Sequence, residues 1–90
     1  MGEVRRMGEG IRKRYKLGQF IGVDVEAEYE INGKVVRIEV SIREGEEPTI
    51  WIKEGTFTYS EFNTLVKLVR QTVRRAKIIV RREKEKSESK

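Results

Sequence analysis

Ninety residues suffice for one domain with one modest core and leave no room for two lobes around a deep cleft. Cysteine and histidine are both absent, which removes disulfides, thiolate metal sites, the commonest general base and the commonest metal ligand together. The net charge of +5 is unevenly spread: residues 1–19 carry +4, residues 20–55 carry −5 and residues 56–90 carry +6. An acidic middle between two basic ends points to a polyanionic partner or to an opposite-charge self-contact.

No stretch of about 18 apolar residues occurs, and no basic-then-apolar leader, so the chain is expected to be cytoplasmic, with no membrane partner. Lys, Arg, Glu, Val and Ile are abundant while Asn and Gln are scarce, a thermophile-like composition suited to ion-pair networks.

In chain order, residues 1–14 hold three glycines and place Val4, Met7 and Ile11 at helical spacing. They are expected to form a basic N-terminal arm or a short helix. The sheet-plus-helix domain is expected over residues 15–84, with the pattern turning extended from Tyr15. Val23, Val25, Ala27, Tyr29 and Ile31 alternate strictly with Asp24, Glu26, Glu28 and Glu30, the pattern of a half-buried strand. Asn32-Gly33 then supplies the positive φ angles of a type I′ turn. Beyond it Val36, Ile38, Val40 and Ile42 alternate with Arg37, Glu39, Ser41 and Arg43. Closing the hairpin there pairs Tyr29 with Val36, Ala27 with Ile38, Val25 with Val40 and Val23 with Ile42, all on one face. After a loop through Pro48, Thr49–Glu54 reads as a shorter strand with Ile50 and Ile52 inward and Trp51 outward.

Thr58-Tyr59-Ser60-Glu61 has the form of a capping box, with Phe57 and Phe62 at the staple positions. A long helix is predicted from Tyr59 to about Lys84, about 39 Å at 1.5 Å per residue. Its apolar stripe reads Phe62, Leu65, Val66, Val69, Val73, Ala76, Ile79 and Val80. Such a helix is expected to overhang a sheet of ten-residue strands, about 33 Å long. The overhang, with Leu68 and Ile78 off the stripe, predicts a homodimer or higher assembly through Leu68, Ala76, Ile78 and Ile79. Residues 85–90 read as a disordered tail. The fold class is therefore α+β: an antiparallel sheet of three or four strands packed on one long C-terminal helix. The expected core is Val23, Val25, Tyr29, Val36, Ile38, Val40, Ile42, Ile50, Ile52, Phe62, Leu65, Val66, Val69 and Val73.

Neither a Walker loop nor a dinucleotide-binding glycine turn is present, and the acidic ladder of Asp24, Glu26, Glu28 and Glu30 reads as a solvated face with cross-strand ion pairs. No catalytic residue, cofactor, metal or small-molecule substrate is expected, and the chain reads as a binding module. Opposite the apolar stripe, Lys67, Arg70, Arg74, Lys77, Arg81 and Lys84 recur at spacings of three and four. That is a basic ribbon about 25 Å long. Like-charged i,i+4 pairs such as Arg70/Arg74 and Lys77/Arg81 each cost about 0.2–0.5 kcal/mol, which a bound polyanion would offset. The N-terminal cluster Arg5, Arg6, Arg12, Lys13, Arg14 and Lys16 holds a potential stacking ring, Tyr15, within it. Trp51, flanked by Arg43 and Lys53, offers another. Nucleic acid, single-stranded in preference to duplex and read with weak sequence preference, is the expected partner. A protein-assembly module using the basic helix and the acidic strand is the alternative.

The layout of Tyr15-Lys16-Leu17-Gly18, the Asn32-Gly33-Lys34 turn, strand Val36–Ile42, Pro48, and Gly55 leading through Thr58-Tyr59-Ser60-Glu61-Phe62 into a helix resembles the single-stranded-DNA-binding domain of the transcriptional positive cofactor four family. That resemblance implies a homodimer joined through helices, with single strands along the sheet; the acidic first strand departs from it. In architecture and composition the chain is also similar to archaeal ThermoDBP-type single-stranded-DNA-binding proteins. The α-β-β-β-α order of double-stranded-RNA-binding domains is a third comparison, but Thr58-Tyr59-Ser60-Glu61-Phe62 lacks their lysine cluster.

Overall fold

Two consecutive two-residue turns set the sheet. In the computed structural model, which describes residues 3–53 and 55–88, Leu17 and Gly18 have φ of 52° and 80°, and Asn32 and Gly33 have 50° and 81°. These are the paired left-handed conformations of a type I′ hairpin, whose twist matches that of the flanking strands. The first turn joins β1 (Val4–Lys16) to β2 (Gln19–Ile31), and the second joins β2 to β3 (Lys34–Arg43). After a turn through Gly45, β4 (Thr49–Lys53) completes a four-stranded antiparallel meander in the order β1-β2-β3-β4. One helix, α1 (Tyr59–Glu88), follows and packs on β2 and β3. The fold is α+β, and no helix among the described residues is long and apolar enough to cross a membrane.

The central hairpin has the register that its alternation predicts: Tyr29 faces Val36, Ala27 faces Ile38, Val25 faces Val40 and Val23 faces Ile42. All eight side chains are buried, and Ile31 joins them under the helix.

The N-terminal segment departs from expectation. Residues 4–16 are neither an arm nor a helix but a thirteen-residue strand, pairing from Val4↔Ile31 to Lys16↔Gln19 with irregularities beside Met7 and Arg14. The helical spacing of Val4, Met7 and Ile11 loses because β2 offers a full row of backbone partners, and an unpaired β2 edge would leave them unmet. The tail reading also gives way, since α1 continues through Glu88; residues 89–90, like Glu54, lie outside the described residues. The longer strands remove the overhang. Thirteen residues of β2 span about 43 Å, against about 45 Å for the thirty residues of α1. The longest dimension of the molecule is 48 Å.

The helix also sits rotated by about 60° from the predicted stripe at about 100° per residue. Its buried line is Glu61, Leu65, Leu68, Thr72, Ala76, Ile79 and Glu83, while Val66, Val69, Val73 and Val80 flank it half-buried. Hydropathy alone misses this because three members of the line are polar. The Thr72 hydroxyl is satisfied by donating to the Leu68 carbonyl at 2.8 Å. Glu61 and Glu83 are satisfied by partners on the sheet. Ile50 and Phe62 are correspondingly left 47% and 52% exposed rather than in the core, and Ile52 is half-buried.

Glu61 fastens the helix to the hairpin. The capping box forms as its spacing predicts: the Thr58 amide donates to Glu61 Oε1 at 2.8 Å and the Glu61 amide to Thr58 Oγ1 at 3.2 Å. The same carboxylate accepts from Lys34 Nζ at 2.7 Å and Asn32 Nδ2 at 2.9 Å, both at the central turn. Asn32 in turn exchanges hydrogen bonds with the Glu3 backbone at 2.9 and 3.0 Å, drawing in the start of β1. Lys34 also lies 5.4 Å from the Phe57 ring centre.

Lys34, the Thr58 amide and Asn32 lower the Glu61 pKa from 4.5 to about 2. A depressed folded-state pKa stabilises the fold above the unfolded value and loses that contribution as pH falls through the folded one. Glu61→Gln is therefore expected to lower the urea midpoint at neutral pH, with the difference from the parent shrinking between pH 4.5 and about 2. A difference constant with pH would show that the charge plays no part.

Candidate nucleic-acid interface

Among the described residues, the cations fall into two groups, those answered by carboxylates and those with no ion-pair partner among the described side chains. On the sheet face away from α1, the acidic ladder of β2 is met by arginines of β1 and β3. Arg5 lies 3.3 Å from Glu30, and Arg37 reaches Glu28 at 3.3 Å and Glu26 at 3.8 Å. Arg14 Nε donates to Asp24 Oδ2 at 2.6 Å, and Arg43 Nη2 lies 3.0 Å from Oδ1. Burial raises the Asp24 pKa, but the Ser41 hydroxyl, Arg14 and Arg43 outweigh it and hold the carboxyl below its ordinary value. Glu26 faces Glu39 in register.

On the helix side of the sheet, β1 sends polar side chains to α1. Lys13 Nζ lies 2.6 Å from Glu83 Oε1, and the Tyr15 hydroxyl donates to Glu83 Oε2 at 3.3 Å. Glu83 also lies 3.5 Å from Lys86. Lys13 holds the Glu83 pKa down, and Glu83 raises that of Lys13 in return. Further along, Glu9 accepts from Arg6 and from Arg75 of α1, the latter at 3.3 Å.

The predicted composite site is thereby divided. Lys13 and Tyr15 are held against Glu83, with the Tyr15 ring set edge-on to Phe20 at 5.9 Å, so they do not extend the helical ribbon. Arg14 and Arg43 are committed to Asp24. Arg12, Trp51 and Lys53 lie on the outer sheet face, where Trp51 is 52% exposed beside Glu39 and the acidic ladder. A single short ligand cannot touch both that face and the far side of α1.

The helical ribbon is intact. Lys67, Arg70, Arg74, Lys77, Arg81 and Lys84 are all exposed, and among the residues whose side chains are described, which do not include Glu88, none has a carboxylate within ion-pair distance. Each projects within about 60° of the direction opposite the buried line. From residue 62 to residue 82 the helix contains seven cations and no acidic residue, and its two acids on either side of that span, Glu61 and Glu83, both face the sheet. Tyr59 heads the same face at 80% exposure, about 12 Å along the axis from Lys67. As part of the capping box alone, Tyr59 carries no functional meaning in the sequence. The signal that finds it is its offset from Arg70, about three full turns, which returns to nearly the same side of the helix.

The expected dimer contact is not available as read. Leu68, Ala76 and Ile79 belong to the protein's own core, and Ile78 alone of the four is half-exposed. The rotation of the helix is the cause. What remains open is a groove of about 630 Å³ between β4 and the start of α1, lined by Ile50, Ile52, Phe57, Tyr59, Phe62 and Leu65 among others.

Leu68→Ala is expected to destabilise the isolated fold by about 2–5 kcal/mol in denaturant unfolding, as for any well-packed leucine, without changing the oligomeric state. A loss of association with unchanged stability would instead place Leu68 at an interface. Comparison with family models, with curated proteins and with solved structures finds no match to this chain.

Proposed function

We propose that this protein binds nucleic acid through the outer face of α1, with single strands preferred and sequence read weakly. The observation that carries this reading is the row of exposed cations Lys67, Arg70, Arg74, Lys77 and Arg81, set in a stretch of helix, residues 62–82, that contains no acidic residue and whose two nearest acids, Glu61 and Glu83, are turned to the sheet. An unneutralised row of like charges is unfavourable in the free protein and favourable beside phosphates, where counterion release drives association. Lys and Arg on flexible stems contact backbone phosphates and carry little base information, which accounts for weak sequence preference. Exposed Tyr59 at the head of the ribbon is the ring placed to stack on an unpaired base, a contact a closed duplex does not offer.

The rival reading, a basic helix docking on the acidic strand of a protein partner, is less well supported. The acidic ladder already has its own arginines at Arg5, Arg14, Arg37 and Arg43.

Anisotropy titrations with a labelled single-stranded oligonucleotide test the proposal. With about five phosphates neutralised, log K is expected to fall against log salt with a slope near −3.5, and Arg74→Ala with Lys77→Ala to flatten it by about 1.4. Tyr59→Ala is expected to weaken single-strand binding by about 1–3 kcal/mol without changing that slope. Arg12→Ala and Lys53→Ala, on the opposite face, should leave both unaltered. Absence of binding at low salt would leave an acidic protein surface as the partner of the ribbon.

A further inference from the structure

We infer that two copies of this chain associate through β4, edge to edge about a two-fold axis at Trp51. The sheet has two free edges, and they differ in how they are protected. β1 carries Arg5, Arg6, Arg12, Lys13, Arg14 and Lys16 and is broken by two irregularities. Charge and bulges of this kind keep a strand edge from pairing with another. β4, Thr-Ile-Trp-Ile-Lys, has one charge at its end and no proline or bulge within it. Its inward residues are under-covered, because α1 packs on β2 and β3 and leaves the groove of about 630 Å³ above β4 open. Exposed Ile50 and Phe62 border that groove, and Trp51 is exposed on the other face of the same strand.

A second copy is the occupant that this edge fits. Antiparallel pairing centred on Trp51 sets Ile50 opposite the partner's Ile52 and Trp51 opposite the partner's Trp51. Thr49 then faces the partner's Lys53. Apolar meets apolar on the helix side, an aromatic pair forms on the outer side, and no cation opposes a cation. The adjoining start of α1, from Tyr59 to Val66, has Glu61 as its one charge, already engaged with Lys34 and Asn32. The first ribbon cation, Lys67, projects from the far side of the helix. Pairing two β1 edges would instead bring two cationic strands together, and pairing β1 to β4 would not close.

The geometry has a consequence for binding. A two-fold axis normal to the sheet makes one eight-stranded sheet and keeps both helices on the same side. Both ribbons then face one way, so that a single long strand can engage the two together. The pairing itself does not depend on what the ribbons bind.

The chain has no cysteine, so a single introduced one reports the interface. Trp51→Cys is expected to give a disulfide-linked dimer on mild oxidation, since side chains directly opposed across antiparallel strands lie within bridging distance. Arg12→Cys, on the other edge, should remain uncrosslinked. In sedimentation the parent chain is expected to run as a dimer, and Ile50→Lys as a monomer with an unchanged circular dichroism spectrum. A parent chain that sediments as a monomer at all concentrations overturns the inference. So does a dimer that the Trp51→Cys variant fails to capture, or one that Arg12→Cys captures equally well.

Discussion

The carboxylate of Glu61 is the interaction on which the arrangement of this molecule turns. It caps α1, and it receives both Lys34 and Asn32 from the central turn. A cap alone would contribute about 1 kcal/mol and say nothing about where the helix lies. By sharing its acceptor with the hairpin, Glu61 also sets the angle and rotation at which α1 meets the sheet. Asn32 extends the same cluster to the Glu3 backbone, so three chain segments converge where the N-terminus of the helix offers its positive end to a negative charge.

Glu83 repeats the device about 33 Å further along the helix, at the opposite end of the buried line. There Lys13 and Tyr15 of β1 supply the partners. With both ends fastened by carboxylates facing the sheet, Leu65, Leu68, Ala76 and Ile79 are pressed onto β2 and β3. The two acidic side chains that bracket the middle of the helix are thereby drawn to the inner face. From Lys67 to Arg81 the outer ribbon keeps its charge because the two acids nearest that span face inward. Fold and candidate function rest on the same separation.

Much of this is legible in the residues. The β2–β3 hairpin follows from strict alternation around Asn32-Gly33, and the helix start follows from the spacing of Thr58 and Glu61. The ribbon is legible because a period of three and four needs no tertiary knowledge. What escapes is set by non-local partners. β1 has weak alternation and two glycines, and it becomes a strand because β2 presents an edge of equal length. The helix rotation depends on Glu61, Thr72 and Glu83 being buried with their bonds satisfied, whereas a hydropathy pattern places such residues outside. That error carries into the expected dimer contact, since Leu68 is spare only when the valines are placed at the centre of the stripe. Tyr15 reads as a stacking platform in the sequence, but the register of β1 turns it toward Glu83.

On the proposed function, a single-stranded ligand would lie on the side of α1 away from the sheet, along Lys67, Arg70, Arg74, Lys77 and Arg81. Amide and arginine side-chain NMR shifts recorded while a single-stranded oligonucleotide is added test it most directly. The largest changes are expected in α1 from Tyr59 to Lys84, concentrated on those cations and on Tyr59. Changes centred instead on Arg12, Trp51 and Lys53, across the outer face of the sheet, would contradict it.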